Sequence, residues 1–300
     1  MSATETDWTF DGEWPFAPHF LEHPDGRLHY ADEGSGAPVV LVHGNPTWGF
    51  LYRRLITPLL DIGHRVIVPD LLGFGRSDKP PDESSYCIEA HVLRLAALLE
   101  SLDITTCSLV VHDWGGPIAL SWASERPNSL SRLLLFNTFP PVLPGTMSGR
   151  KRNRLLRSRG VGEVLFKGAD VMTRRFLFSE GLAHPERLTE SVKAAYLAPH
   201  PDRRSRAGIL AFPRQIPERR DEPFATLNRR VARRLRDNLG DVPVRLVWGM
   251  RDPLFGPSVI DEWQDFVGHA TVGRISDAGH YLQEDAPEDA VAEVVEFFTN

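Results

Sequence analysis

Over most of the chain, short apolar runs alternate with longer stretches in which apolar residues recur at helical spacing. The runs Val39–Val42, Arg65–Val68, Ser108–Val111, Arg132–Phe136, Val244–Trp248 and Thr271–Ile275 are mostly rich in β-branched residues and bounded by Gly, Pro or Asp, which predicts strands. Ile88–Leu102, Pro117–Glu125, Ser258–Val267 and Pro287–Phe298 read as helices, and in the last Ala290, Val291, Val294, Val295 and Phe298 are spaced to bury one face. Strands this apolar, separated by helices, are buried on both faces. The pattern predicts an α/β fold with a mostly parallel central sheet flanked by helices. A polar or Gly-rich loop follows each strand, where open sheets of this kind bind their ligands.

From about Val142 to Thr226 no strand pattern convinces. Apolar clusters at Val161–Phe166, Val171–Phe178 and Gly208–Phe212 are separated by Pro- and Arg-rich segments, which predicts a helical insertion over the sheet, placed to act as a lid. The expected organisation is therefore a core of residues 1–141 and 227–300 with a helical cap at 142–226. Basic residues crowd the same region: between Arg150 and Arg236 there are 22 Lys and Arg against 9 Asp and Glu, in a chain whose net charge is −6. A solvated cap face and an anion-steering funnel both fit that excess.

With 300 residues, 42% hydrophobic and 25% charged, the chain is long enough for one large core, and no apolar run approaches the ~18 residues of a membrane span. Net negative charge argues against binding to nucleic acid by phosphate neutralisation. A small molecule is the expected partner, with no nucleic acid and no membrane. The two cysteines, Cys87 and Cys107, read as small buried apolar residues without a disulfide, and the first residues lack a secretory pattern, so a cytoplasmic location is expected.

The densest chemistry lies in Ser108-Leu-Val-Val-His-Asp-Trp-Gly-Gly-Pro117: a strand, a sharp turn and a helix, with Asp113 at the turn where a nucleophile elbow carries its reactive side chain. Alone, Asp113 would equally serve as a helix N-cap. Two further segments change that. Gly249-Met-Arg-Asp-Pro253 puts Asp252 in a loop after a strand, and Ser276-Asp-Ala-Gly-His-Tyr281 puts His280 in a loop before the last helix. The order nucleophile, acid, histidine is that of the α/β-hydrolase triad. Val39-Val-Leu-Val-His-Gly-Asn-Pro-Thr-Trp48 adds a tight turn able to supply an oxyanion hole together with the N–H of Trp114. A carboxylate at the elbow is already ionised at neutral pH and attacks an sp³ carbon without a base, whereas attack on an ester carbonyl would give an anhydride with little driving force. Metal and organic cofactors are not required by such chemistry.

These motifs, with Pro69-Asp-Leu-Leu-Gly-Phe-Gly-Arg-Ser-Asp-Lys-Pro80 and Gly279-His-Tyr-Leu-Gln-Glu-Asp285, cover almost the whole chain and resemble the haloalkane dehalogenases of the α/β-hydrolase superfamily. The resemblance implies hydrolysis of a small halogenated aliphatic substrate by water to alcohol, halide ion and proton, through an alkyl ester on Asp113. It implies that Asp113 attacks, His280 activates water, Asp252 orients His280, and the side-chain N–H groups of Asn45 and Trp114 hold the halide. Some family members use a cap tryptophan as the second donor, but the expected cap of this chain has none, which leaves Asn45. Others carry the acid after an earlier strand, where Phe136-Asn-Thr-Phe139 offers no carboxylate, so the acid is expected at Asp252.

Other chemistries share these residues. An epoxide hydrolase would use the same triad, and that family usually protonates its alkoxide with two cap tyrosines; here only Tyr196 falls in the cap. Fluoroacetate-type enzymes carry Arg where Trp114 stands. A non-catalytic ligand-binding protein on the same scaffold also stays open. Gly73-Phe-Gly-Arg-Ser77 reads as a turn-rich loop, His43 and His112 as structural, and Phe176, Phe178 and Phe212 as either pocket lining or ordinary cap packing.

Overall fold

The computed structural model describes residues 6–143 and 158–299. All six expected strands form, as β3 (Ala37–Val42), β4 (His64–Pro69), β5 (Cys107–Asp113), β6 (Leu130–Thr138), β7 (Val244–Gly249) and β8 (Thr271–Ile275). Two more precede them, β1 (His19–Leu21) and β2 (Leu28–Glu33). Both escaped the pattern for a physical reason: they lie at one edge of the sheet, where β1 is largely exposed and β2 only partly buried, so neither needs an apolar run. The sheet order is β1-β2-β4-β3-β5-β6-β7-β8; β1 with β2 and β2 with β4 are antiparallel, and the rest is parallel. In register, Val39 faces Val66 and Leu41 faces Val110, and these residues are fully buried.

The chain leaves β3 for β4 on one side and returns for β5 on the other. This reversal opens a crevice beyond the carboxyl ends of β3 and β5, the place where such sheets bind ligands. The helices are α1 (Arg53–Asp61), α2 (Ile88–Ser101), α3 (Gly115–Ser124), α4 (Glu190–Leu197), α5 (Ala207–Arg214), α6 (Pro223–Asn238), α7 (Pro257–Phe266) and α8 (Pro287–Thr299). Packing joins α1 to α8, and joins α2, α3 and α6 in sequence. The expectation missed α1, whose Pro58 interrupts the pattern although Leu55, Ile56 and Leu59 are buried. Proline opens α6, α7 and α8, a position where its missing N–H is not needed.

Between β6 and β7 the described residues form helices and no strand. Two of the expected apolar clusters lie largely on π-helical segments, Glu163–Gly168 and Met172–Glu180, and the third on α5. Residues 144–157 of the expected cap lie outside the described residues. Several arginines of this segment pair with carboxylates. Arg214 pairs with Glu83 and Glu163, and Arg234 with Glu125. The insertion is tied to the sheet end through buried groups: Trp48 Nε1 donates to Ala195 O at 3.0 Å, and Glu284 Oε1 accepts from Tyr196 Oη at 2.5 Å while pairing with Arg53. Among the described residues no helix is long and apolar enough to cross a membrane.

Candidate active site

Asp113 closes β5 with φ at +50°, in the left-handed region that non-glycine residues rarely adopt. Such a turn thrusts the side chain beyond the sheet, provided that its neighbours are small. A Cβ on Gly44 would lie 2.3 Å from Asp113 Oδ1, and one on Gly115 2.0 Å from the carbonyl oxygen of Val42. The Thr138 hydroxyl braces the turn by donating to the Asp113 carbonyl at 2.6 Å. The loop after β3 comes across the crevice to meet the elbow.

The two oxygens of the Asp113 carboxylate have different surroundings. Oδ1 accepts from the Asn45 backbone N–H at 2.9 Å, and the Trp114 N–H also hydrogen-bonds this carboxylate. Oδ2 faces His280 Nε2 at 3.6 Å. The other ring nitrogen, Nδ1, is 2.9 Å from Asp252 Oδ2, so in neutral His280 the proton sits on Nδ1 and Nε2 keeps its lone pair. Asp252 Oδ1 accepts from the N–H groups of Leu254 (2.6 Å) and Phe255 (3.1 Å), which fixes the carboxylate plane.

The three expected triad members are thus brought together, all at least nine-tenths buried. Burial raises the pKa of Asp113, partly countered by His280 and the N–H groups of Asn45 and Trp114. For His280, burial acts downward, but the charge of Asp252, the hydrogen bond to it and the charge of Asp113 prevail and raise the pKa above 6.5.

Asn137 is a participant that the sequence analysis passed over. It stands in the stretch noted there for lacking a carboxylate, and its Nδ2 donates to Asp252 Oδ2 at 2.7 Å, the oxygen that receives His280. Its Oδ1 accepts from the Gly249 N–H at 2.7 Å, locking the acid loop to β6. The only signal in sequence was its place at the end of an expected strand.

Asn45 and Trp114, the expected halide donors, are each 3% exposed. Asn45 Nδ2 donates one N–H to the carbonyl of Ile209 at 3.2 Å and has a second to offer. Among the described residues no acceptor meets Trp114 Nε1. The Trp114 ring packs against Phe139, Phe212 and Phe224, with centroids 4.5, 5.0 and 5.1 Å away. Phe176 and Phe255 lie against His280, both at 5.7 Å. Of the three cap phenylalanines considered, Phe176 and Phe212 therefore border the site, while Phe178 packs on the core without ring contact to it.

The remaining candidates have structural partners. His43 Nε2 accepts from the Leu71 N–H, and His112 Nε2 bonds the His280 carbonyl. The Gly73–Ser77 loop wraps Asp70, which accepts from the N–H groups of Gly49 and Arg76. Tyr196, the one tyrosine of the expected cap, is committed to Glu284. Cys107 is buried as expected, but Cys87 is only half-buried, because it stands at the exposed turn before α2.

The chain matches the family model described as the alpha/beta hydrolase fold over residues 37–161 and 170–287. It is 37% identical over 282 residues to haloalkane dehalogenase 1 of Mycobacterium tuberculosis, covering 91% of this chain and 90% of that one. It is 35% identical over 287 residues to a cis-3-alkyl-4-alkyloxetan-2-one decarboxylase of Shewanella oneidensis, covering 95% and 89%. The crystal structure of the haloalkane dehalogenase DbeA from Bradyrhizobium elkani superposes with a TM-score of 0.85 at 28% identity, covering 95% of this chain and 98% of that one. Joined to the elbow geometry, these matches place the chain in the haloalkane dehalogenase family of the α/β-hydrolase superfamily.

Proposed function

We propose that this protein hydrolyses carbon–halogen bonds of small aliphatic substrates, with Asp113 as nucleophile, His280 as base, Asp252 as its orienting acid, and Asn45 and Trp114 as halide donors. The observation that carries the assignment is the asymmetry of the Asp113 carboxylate: Oδ1 is held by the loop N–H of Asn45, and Oδ2 is turned toward His280. Oδ2 attacks the carbon bearing the halogen, the C–X bond breaks, and the halide leaves toward Trp114 Nε1 and the free N–H of Asn45 in a site closed to bulk water. Neutral His280 then takes a proton from water, whose oxygen adds to the ester carbon. Charge develops on Oδ1, which the Asn45 N–H already holds, with the Trp114 N–H also on this carboxylate. Collapse expels the alcohol and restores Asp113. Residues 142–226 serve as the cap over this site, and the free thiols Cys87 and Cys107 fit a reducing compartment, the cytoplasm.

Halide release from bromo- and iodoalkanes, with Asp113→Ala as control, tests the assignment. Release that vanishes in the control is expected; diol from epoxides without halide would move the assignment to epoxide hydrolysis, against which the engagement of Tyr196 speaks. A second reading follows from the Shewanella relative, whose name specifies a four-membered lactone. Such a ring also offers an sp³ carbon joined to a carboxylate leaving group, which Asp113 Oδ2 can attack. Loss of carbon dioxide then breaks the new ester bond and leaves an alkene, with no water consumed. Alkene and carbon dioxide from an alkyl oxetanone, in the absence of halide release from any haloalkane, would establish that activity instead.

A further inference from the structure

The histidine loop, the acid loop and the insertion meet at a carboxylate outside the triad. Asp277 stands three residues before His280, and a different segment meets each of its oxygens: Oδ1 pairs with Arg251 of the acid loop at 2.7 Å, and Oδ2 faces His184 Nε2 of the insertion, also at 2.7 Å. The backbone repeats both links. The Arg251 N–H donates to the Ala278 carbonyl at 2.8 Å, and the His280 N–H to the Gly181 carbonyl of the insertion at 2.7 Å. The other side of the His184 ring fixes its charge. Nδ1 lies 3.1 Å from Glu186 Oε1, so both ring nitrogens face carboxylate oxygens. A neutral imidazole has one N–H and would set a lone pair against one of these carboxylates; only imidazolium donates to both. The charged groups about the ring are Asp277 and, behind it, Arg251 from the core loops, Asp285, which accepts from the His184 backbone N–H, and Glu186 and Arg187 from its own segment. The hydrogen bonds to Asp277 and then to Glu186 raise the pKa of His184 above 6.5, against a lesser lowering by desolvation and Arg187. With 20% of its side chain exposed, His184 exchanges its proton with solvent.

We propose that His184 is a positioning residue for ester hydrolysis: as imidazolium it pins Asp277, and with it the loop that carries His280, to the insertion, and it loosens that hold when it loses its proton. The proposal rests on the dehalogenase assignment above, because it bears on the step that needs His280 and not on the attack by Asp113. Below the pKa of His184 the latch is closed; as pH rises through that value the charge is lost and the loop gains freedom. His280 must be neutral to act as base, while His184 must be charged to hold it in place. Hydrolysis therefore has a rising limb from the one histidine and a falling limb from the other.

The test is single-turnover kinetics on a bromoalkane, in which bromide reports alkylation and alcohol reports hydrolysis, for the wild type, His184→Gln and His184→Arg across a range of pH. Glutamine removes the charge at every pH, and arginine keeps it at every pH. His184→Gln should slow hydrolysis about twofold to fivefold at neutral pH, the range of a partly exposed ion pair, with alkylation unchanged and the falling limb gone. His184→Arg should match the wild type at neutral pH and hold its rate on the alkaline side, where the wild type declines. Amide exchange supplies a readout that needs no turnover: after correction for intrinsic exchange, protection of the His280 N–H should fall with rising pH in the wild type, stay low in His184→Gln and stay high in His184→Arg. An alkaline decline of equal size in the wild type and His184→Arg, or a His184→Gln profile identical to the wild type, would overturn the positioning role while leaving the dehalogenase assignment intact. A wild type that yields neither bromide nor alcohol would overturn that assignment and the hydrolytic role with it, and the exchange data would then decide the latch alone.

Discussion

Asp113 shows how one side chain is given two jobs by its surroundings. In the proposed mechanism the oxygen held by the Asn45 N–H is the one that carries charge when the ester is hydrolysed, and the oxygen facing His280 is the one that attacks. His280 answers to the same charge. Burial alone would lower its pKa, but Asp252 and Asp113 raise it, so in the free enzyme the ring stays protonated to higher pH than an ordinary histidine. The base form gains as pH rises through that raised value. Alkylation of Asp113 cancels one of the raising charges, and the pKa of His280 must then fall. Ester hydrolysis in single turnovers should therefore reach half its plateau at a lower pH than the one at which His280 titrates in the free enzyme by NMR. Coincident or reversed midpoints would contradict this coupling.

Among the elements, loops at the strand ends hold the reacting groups while the insertion is clamped onto them by single buried residues. Asp285 is the clearest case. Fully buried, it accepts from the N–H of Gly279 in the histidine loop (2.7 Å) and from Ala183 and His184 of the insertion (2.9 Å each). Beside it the Gly181 carbonyl receives the His280 N–H at 2.7 Å, and a Cβ on Gly279 would lie 2.5 Å from that carbonyl oxygen. Asp285→Ala strands three N–H groups and should lower unfolding free energy by at least about 3 kcal/mol, with faster proteolysis around residues 181–184. A urea midpoint equal to the wild type would refute the clamp. Of these features the sequence shows the histidine loop, since Gly279 and His280 precede an obvious helix, but not the clamp, whose partners are about a hundred residues apart. Nor does apolar spacing distinguish the π-helical turns at Glu163–Gly168 and Met172–Glu180 from α-helix, because both bury one face.

At the scale of the molecule, the parallel sheet was legible because strands buried on both faces must be apolar, and the convergence of Asp113, Asp252 and His280 because each follows a strand at the same edge of the sheet. What was not legible lies at the sheet edge, as β1 and β2 do, or depends on contacts distant in sequence, as do the support of Asp252 by Asn137 and the anchoring of Asn45 by Ile209, 164 residues away. The reversal of strand order beside β3 unites these parts, since it brings the Asn45 loop and the Asp113 elbow to one crevice and leaves the insertion to close it. All of the chemistry assigned to that crevice passes through a covalent ester on Asp113, with His280 needed only for its hydrolysis. The most direct measurement is the intact mass of His280→Phe after incubation with a bromoalkane. An increase equal to one alkyl group less a proton, located on Asp113 by peptide mapping and formed with one equivalent of bromide, is the expected result; repeated turnover in that variant, or bromide release without an adduct, would contradict the two-step mechanism.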